Sequence, residues 1–293
     1  QDVSLETVLH PKIILKFPVI SSPMDTISET AMARSLARAG GLGIIHRNLT
    51  IETQSEMVRE VHDEHLLIGA AVGVGSDFEE RVKAMIAAGA DVVVIDSGHG
   101  NTKFVADGVS YIKKMYSQTV IMAGNVATAD GANRLVQAGV DILRVGMGPG
   151  SICTTRIITG MGVPQLTAIM EVVKAAKGTN VTIVADGGIR QIGDMTKALA
   201  VGAHAVMLGS LLAGFDESPG EKVVVNGTEY KHYRGMGSVA SMKKGSAERY
   251  GQVKDDKVSM LIAEGVEGLV RYKGPVDENL TQVAGSLRSS IYY

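Results

Sequence analysis

The sequence of 293 residues predicts an α/β protein in which eight parallel strands close into a (β/α)8 or TIM barrel. Three observations support this fold class. Short apolar runs rich in Val and Ile recur, amphipathic stretches separate them, and several of these stretches end in an Ala-Gly pair, a common helix stop signal. Near-continuous apolar strands that alternate with helices indicate parallel strands buried on both faces. The chain length fits, because barrels of this class have about 250 residues.

Eight apolar runs are predicted to be the barrel strands. In chain order they are residues 17–24, 41–47, 66–73, 91–98, 119–125, 141–147, 181–188 and 204–210. The clearest helical stretches are residues 28–40, 78–90 and 129–140. The alternative architecture is an open doubly wound sheet with a small second domain. It is disfavoured because no GxGxxG sequence opens a helix after the first strand.

Two long insertions follow strands, and barrel enzymes have their active sites at those strand ends. One insertion lies between the sixth and seventh strands and contains Cys153, the single cysteine. The other follows the eighth strand and contains the sequence VVVNGTEY, which predicts a hairpin with an Asn-Gly turn, and a last helix near residues 278–289. We expect residues 1–293 to form a single catalytic domain.

Composition restricts the kinds of partner. The 29 basic residues nearly balance the 31 acidic residues, so the net charge gives no reason to expect nucleic acid or an anionic membrane. No apolar run approaches the roughly 20 residues of a membrane span, and the first residues, QDVSLETVLHPK, lack the features of a signal peptide. We therefore expect a soluble, cytoplasmic protein, and a single cysteine fits a reducing compartment.

Polar residues at the predicted strand ends indicate a binding site for an anionic ligand. The seventh strand ends in Asp186 and two glycines, and the eighth ends in Gly209 and Ser210, where barrels commonly bind phosphate through backbone N–H groups. Asp186 is interpreted as an acceptor for ribose hydroxyls, with a cap on the following helix as the alternative. Together with polar residues at the ends of other strands, this pattern predicts a site large enough for two nucleotides.

Cys153 follows a glycine-rich loop in the sequence VGMGPGSICTT, residues 145–155. Such a loop presents mainly backbone groups, and a thiolate in it could act as a nucleophile. A lone cysteine can also be a buried structural residue. The flanking Thr154 and Thr155, and the absence of an apolar pattern, favour the nucleophile.

Several motifs, in the same order along the chain, resemble the IMP dehydrogenase and GMP reductase family. They are VGMGPGSICTTR, MGVPQLTAI, ADGGIR, MLGSLLAG, YRGMGS, EGVEG and YKG. The resemblance implies a homotetrameric TIM barrel in which the cysteine attacks C2 of a purine nucleotide while hydride passes between C2 and nicotinamide. It implies NAD-dependent oxidation of IMP to XMP for a dehydrogenase, and conversion of GMP to IMP with NADPH for a reductase.

The resemblance also assigns roles to individual residues. The implied catalytic residues are Cys153, Thr155, Arg249, Tyr250 and Glu264. The implied nucleotide site comprises Ser22, Ser151, Asp186, Gly188, Gly209, Ser210, Tyr233, Gly235, Met236 and Gly237. The implied dinucleotide side comprises Asp96, Ser97, Asn125 and Arg144, and carbonyl groups of Gly146, Gly148 and Cys153 would hold a potassium ion.

The choice between the two activities depends on a flap at about residues 236–268. Its sequence MKKGSAERYGQ contains Arg249 and Tyr250, which resemble the arginine-tyrosine pair of IMP dehydrogenases, where the arginine serves as base toward water. The sequence HRN at residues 46–48 also favours the dehydrogenase. As alternatives, KKGSAERY could be a solvated basic loop, and the chain could be a catalytically idle nucleotide-binding or assembly protein.

One family feature is missing. Members usually carry a pair of CBS modules between the second helix and the third strand. Here the sequence MVREVHDEHLLIGAAVG joins these elements directly, so we expect the modules to be absent at about residues 61–66.

Overall fold

Strands and helices alternate along most of the chain. A computed structural model describes residues 3–252 and 261–292. Its strands are β1 (Thr7–His10), β2 (Ile13–Leu15), β3 (Val19–Ser21), β4 (Gly43–Ile45), β5 (Ile68–Val72), β6 (Val92–Asp96), β7 (Val120–Val126), β8 (Ile142–Val145), β9 (Thr182–Asp186), β10 (Ala205–Leu208), β11 (Lys222–Val225), β12 (Thr228–Arg234) and β13 (Glu267–Arg271). Its helices are α1 (Thr30–Arg38), α2 (Ile51–His62), α3 (Phe78–Ala87), α4 (Lys103–Met115), α5 (Ala129–Ala138), α6 (Thr155–Ile158), α7 (Gln165–Ala176), α8 (Ile192–Ala200), α9 (Val239–Lys244) and α10 (Asp277–Ser290).

Strands β3 to β10 form one parallel sheet that closes on itself. The strand order is β3, β10, β9, β8, β7, β6, β5 and β4. Strands β3 and β4 meet through a parallel bridge between Ile20 and Leu42, and the Ser21 N–H donates to the Leu42 carbonyl at 3.0 Å. This closure confirms the predicted TIM barrel and excludes the open doubly wound sheet.

Burial explains why the barrel strands are near-continuous apolar runs. Every residue of β5, β6 and β7 is buried. On β6, Val92 and Val94 belong to the cluster that fills the barrel, whereas Val93 and Ile95 belong to the cluster that packs against the helices. Successive strand residues point to opposite faces, so both faces require apolar side chains.

The predicted helices and connections are also present. The stretches 28–40, 78–90 and 129–140 contain α1, α3 and α5, which end a few residues earlier than predicted. Helix α2 ends at His62 and β5 begins at Ile68, so the two elements are joined directly, as predicted for residues 61–66. Among the described residues, no helix has both the length and the apolar character needed to cross a membrane.

An N-terminal hairpin, which the sequence analysis did not predict, covers one end of the barrel. Strands β1 and β2 pair antiparallel, and Leu9, Ile13 and Leu15 are buried within the cluster that fills the barrel. The Thr182 hydroxyl, at the start of β9, donates to the Leu9 carbonyl at 2.7 Å. The hairpin therefore lies at the amino ends of the strands, opposite the predicted active site.

The segment after β10 builds a small three-stranded sheet. Strands β11 and β12 form the predicted hairpin, with Asn226 and Gly227 both at positive φ in the turn. Strand β13 pairs antiparallel with β12, a pairing that the sequence did not predict. Helix α10 confirms the predicted last helix. Of the predicted flap at residues 236–268, residues 253–260 lie outside the described residues, and the remainder includes α9 and a 3-10 helix at Ser246–Tyr250.

The hairpin offers a test of how the barrel end is stabilised. We expect Leu9→Ala to lower the free energy of unfolding by about 2–5 kcal/mol, because it leaves a cavity in the barrel interior. Val8, its neighbour on β1, is 49% exposed, so Val8→Ala is the matched control and should change stability by less than about 1 kcal/mol. Urea unfolding followed by circular dichroism measures both, and equal effects would contradict the assigned packing.

Candidate active site

A cleft opens at the carboxyl ends of the barrel strands. Nearly all of the predicted site residues line it, although they come from distant parts of the sequence. Those lining the cleft are Ser22, Asn125, Arg144, Gly146, Gly148, Ser151, Cys153, Thr155, Asp186, Gly188, Gly209, Ser210, Tyr233, Gly235, Met236, Gly237, Arg249, Tyr250 and Glu264. Two predicted residues, Asp96 and Ser97, do not line it. Asp96 is buried at the end of β6, and Ser97 follows it.

Cys153 lies half-buried on the cleft with a free thiol. Its S–H donates to Thr155 Oγ1 at 3.2 Å, and the Thr155 hydroxyl donates to Glu264 Oε2 at 2.8 Å. The glycine loop before it turns sharply, with φ of 151° at Gly146 and 70° at Gly148, so backbone groups line the approach to the sulfur. This exposure and hydrogen bonding do not fit a buried structural cysteine.

Glu264 reaches Thr155, beside the cysteine, because its segment is fixed on both sides. The Thr154 N–H donates to the Glu264 carbonyl at 2.9 Å, and the Glu264 N–H donates to the Gly237 carbonyl at 3.0 Å. Next to it, the Val266 N–H donates to the Ile152 carbonyl at 3.0 Å. The return of the chain into β13 thus connects the cysteine loop to the predicted base-binding residue Gly237.

A buried cluster of charges lies under the cleft. The guanidinium of Arg144, on β8, is 2% exposed; its Nε donates to Asp186 Oδ2 at 2.9 Å, and its Nη1 contacts Asp96 Oδ1. Asn125 donates to the same Asp186 oxygen at 2.8 Å. Asp186 is therefore held from two strands, and the capping of α8 falls instead to Asp194, which accepts from the Gln191 N–H at 3.1 Å. The alternative interpretation of Asp186 as a helix cap is wrong.

Arg249 comes from the flap and lies over this cluster. Its Nη1 contacts Asp96 Oδ1, and its carbonyl accepts from the Gly98 N–H at 2.9 Å. Its side chain is 12% exposed, so the arginine of KKGSAERY is not solvated, whereas Lys243 and Lys244 are exposed. Burial lowers the pKa of the Arg249 guanidinium, and burial raises the pKa of the adjacent Tyr250.

Gly209, predicted to bind phosphate, lies on the cleft beside Tyr233. A Cβ on Gly209 would lie 3.3 Å from the Tyr233 hydroxyl and from the Met24 sulfur, so the glycine leaves open a space lined by these side chains. Burial raises the pKa of Tyr233 to about 12, against the opposing effect of a hydrogen bond with Ser151. The phenol therefore stays protonated at neutral pH and remains a donor. Ser22 and Ser210 line the same cleft.

An ion pair that the sequence analysis missed connects two walls of this cleft. Asp25 follows β3, and Arg234 ends β12; Arg234 Nη2 and Asp25 Oδ2 are 2.6 Å apart, with a second contact of 3.0 Å from Nε to Oδ1. Burial alone would raise the pKa of Asp25, but hydrogen bonds from Arg234 and its charge lower it overall. The pair holds Tyr233 near the loop that carries Ser22. The only available signal was the charged residues inside the motifs SSPMD and YRGMGS.

The glycine loop was also expected to hold a potassium ion through carbonyl oxygens of Gly146, Gly148 and Cys153. The Gly146 carbonyl already accepts from the Asn125 side chain at 2.9 Å, which leaves it one lone pair. Across residues 3–252 and 261–292, no group of three or more His, Cys, Asp or Glu side chains could hold a metal ion. A cation bound here would depend on backbone oxygens.

Comparisons with known proteins agree with this arrangement. The family described as IMP dehydrogenase / GMP reductase domain matches residues 1–293. The inosine-5'-monophosphate dehydrogenase of Cryptosporidium parvum is 43% identical over 336 positions, which include all of this chain and 83% of the relative. The enzyme of the same name from Borreliella burgdorferi is 40% identical, and that from Bacillus subtilis is 37% identical; both alignments include the whole chain, with 85% and 86% of the relative. The Bacillus alignment runs over 421 positions, so that relative has residues without counterpart here. The chain belongs to the IMP dehydrogenase and GMP reductase family.

Proposed function

We propose that this protein catalyses the NAD-dependent oxidation of IMP to XMP, a step of guanine nucleotide biosynthesis, through a covalent cysteine-nucleotide intermediate. One observation carries the proposal: Arg249 and Tyr250 lie on the same cleft as the hydrogen-bonded chain of Cys153, Thr155 and Glu264. A nucleophile and groups that could activate water for hydrolysis thus line one cleft. The relatives named above support the dehydrogenase over the reductase, because all are called inosine-5'-monophosphate dehydrogenase.

The geometry supports one orientation of IMP in the cleft. The monophosphate would lie against the backbone at Gly188 and Gly209, with hydroxyl donors from Ser151, Ser210 and Tyr233. The carboxylate of Asp186 would accept from the ribose hydroxyls. The purine would then lie between the cysteine loop and the segment of Gly235, Met236 and Gly237, with C2 toward the sulfur.

The reaction would proceed in two steps. In the first, the Cys153 sulfur forms a bond to C2, the thiol proton leaves through Thr155 to Glu264, and C2 loses a hydride. A bound nicotinamide dinucleotide supplies the hydride acceptor. In the second step, water attacks C2, the carbon–sulfur bond breaks, and XMP leaves the regenerated cysteine.

Arg249 is proposed as the base in the second step. At its ordinary pKa, above 12, an arginine is almost entirely protonated at neutral pH and cannot accept a proton. Burial lowers the pKa of Arg249, which favours the role. Contact with the Asp96 carboxylate has the opposite effect, because it stabilises the charged guanidinium. Burial and the contact with Asp96 therefore act on the pKa of Arg249 in opposite directions.

Asp96, Ser97, Asn125 and Arg144 are proposed to form the dinucleotide side of the site. Two buried acceptors there, Asp96 Oδ2 and Asn125 Oδ1, have no hydrogen-bond partner among the described residues. Unpaired buried acceptors suit the hydroxyl or amide donors of a ligand. Asp96 is 1% exposed beneath Arg249, so a ligand reaches it only after Arg249 has moved.

Potassium, a homotetramer and a cytoplasmic location complete the proposal. The positive φ values of Gly146 and Gly148 fit a loop that directs carbonyl oxygens at a cation, and Cys153 would contribute a third. These carbonyls would fix the loop and with it the sulfur. The tetramer and the location rest on the family resemblance, which gives no role to nucleic acid or a membrane.

The first prediction of the proposed function compares the two activities of the family. The protein with IMP and NAD should produce NADH, measured by absorbance, and XMP, measured by chromatography. The proposal fails if GMP and NADPH react to give IMP while IMP and NAD give no signal. If IMP binds but neither reaction occurs, the protein is a catalytically idle binding protein.

The second prediction concerns the nucleophile. Cys153→Ala should abolish NADH formation while IMP affinity, measured by calorimetry, stays within about tenfold, because the phosphate and ribose contacts remain. Mass spectrometry of the wild-type protein quenched during turnover should detect a nucleotide adduct on Cys153. Turnover by the alanine variant would rule out the covalent route.

The third prediction separates the two chemical steps. Arg249→Gln should lower steady-state turnover at least about a hundredfold, the contribution expected of a general base. The pre-steady-state burst of NADH should persist, because hydride transfer precedes hydrolysis. Lys243→Gln, an exposed charge change on α9, is the control and should leave both phases unchanged. Loss of the burst together with turnover would assign Arg249 to the first step instead.

A further inference from the structure

The second residue of the HRN motif lies against the flap. Arg47 follows β4, its side chain is 9% exposed, and its Nη1 is 3.8 Å from Glu248 Oε2. Glu248 immediately precedes Arg249 in the 3-10 helix. The proposed function gives Arg47 no role, yet the structure buries its charge beside the base.

Two glycines after β5 leave space for this ion pair. A Cβ on Gly73 would lie 2.6 Å from Arg47 Nη1, and a Cβ on Gly75 would overlap the Glu248 carboxylate. The side chains of Arg47 and Glu248 therefore occupy space that a larger residue at position 73 or 75 would fill. The loop after β5 thus packs against the ion pair, and the ion pair includes Glu248 of the 3-10 helix.

The other charges near Arg47 are already paired. Arg81 Nε donates to Asp77 Oδ2 at 2.7 Å, and the rest of its guanidinium donates to Gln54 and to the Leu49 carbonyl. Burial lowers the pKa of Arg47, while the charges of Glu248 and then Asp77 oppose that change. Glu248 is thus the carboxylate within ion-pair distance of Arg47.

Docking of Arg249 needs such support, because its own contacts are incomplete. Arg249 Nε and Asp96 Oδ2 are buried without a hydrogen-bond partner among the described residues. Arg249 and Arg144 also contact the same oxygen of Asp96, so two positive groups share one acceptor. Unpaired buried polar atoms and like charges both disfavour the docked position.

We propose that Arg47 and Glu248 are positioning residues: their ion pair, seated on Gly73 and Gly75, holds the 3-10 helix so that Arg249 lies over the cleft. This inference rests on the proposed role of Arg249 in hydrolysis. The pair contacts neither the cysteine nor the predicted nucleotide site. Weakening it lowers the fraction of molecules with Arg249 docked and slows only the step that needs Arg249.

The test uses variants that break the pair in different ways. Glu248→Gln and Arg47→Gln each remove one charge, and the double variant removes both. Gly75→Ala keeps both charges but fills the space of the Glu248 carboxylate. The matched controls are Glu80→Gln, an exposed acid on α3, and Gly193→Ala, where a Cβ meets nothing within 4 Å.

The first readout is independent of activity. The Gly98 N–H donates to the Arg249 carbonyl, so the hydrogen exchange of Gly98 reports docking of the 3-10 helix at Ser246–Tyr250. We expect exchange at Gly98 to accelerate about fivefold in each of the three single variants, the factor of an exposed ion pair worth about 1 kcal/mol. Exchange at Gly98 should be no faster in the double variant than in either charge variant alone, because all three variants remove the same interaction. Unchanged exchange overturns the proposal.

The second readout is kinetic. With IMP and NAD, steady-state turnover should fall about fivefold in the variants while the NADH burst stays within about twofold. A parallel loss of burst and turnover indicates a general structural role and overturns the proposal. If the wild-type protein forms no NADH, the proposed function fails. Hydrogen exchange at Gly98 still decides whether the Arg47–Glu248 pair holds the 3-10 helix in place.

Discussion

The guanidinium of Arg144 is the interaction on which the two halves of the site depend. It lies on β8, between Asp96 on β6 and Asp186 at the end of β9, and is almost fully buried. Two carboxylates this close would repel each other without a shared cation, and an uncompensated buried charge costs several kcal/mol. Arg144 therefore lets the carboxylates of two strand ends lie in a single cleft, the ends proposed to bind the ribose and the dinucleotide.

The cysteine is held by a different kind of constraint. Its loop provides few side chains, so its position depends on backbone hydrogen bonds to the segment that enters β13. Those bonds run from Thr154 to Glu264 and from Val266 to Ile152. Because β13 also pairs with β12, the small sheet beyond the barrel fixes the acid beside the sulfur. The Asp25–Arg234 pair ties the same sheet to the loop after β3.

The sequence was sufficient for features that depend on local pattern. All eight barrel strands, the Asn226–Gly227 hairpin and the last helix follow from periodicity and turn residues, because parallel strands buried on both faces leave a clear signal. The β1–β2 hairpin was missed, because its strands have four and three residues and the apolar Val8 and Ile14 are exposed, so no alternation appears in the sequence. Pairing of β13 with β12 was missed because it joins segments that are distant in sequence and carry no periodic signal.

The site divides in the same way. Cys153, Asp186 and Gly209 could be predicted, because their neighbours and strand-end positions are visible in the chain. The contact of Arg47 with Glu248 could not, since it joins residues about two hundred positions apart. Charged pairs of this kind have no sequence period, so only the folded structure shows which partner each charge finds.

Under the proposed function, Asp96 is the reason that Arg249 would have to move. Arg144 and Arg249 both contact its Oδ1, while its Oδ2 is buried without a partner. Arg144 is fixed within a strand, whereas Arg249 belongs to a short helix held at its edge, so Arg249 is the cation that can leave. Its departure frees one oxygen of Asp96 and uncovers the other for a ligand. Its return restores the positive charge that neutralises the carboxylate. In the proposed function, a single aspartate would therefore serve Arg249 and the dinucleotide in turn, but not both at once.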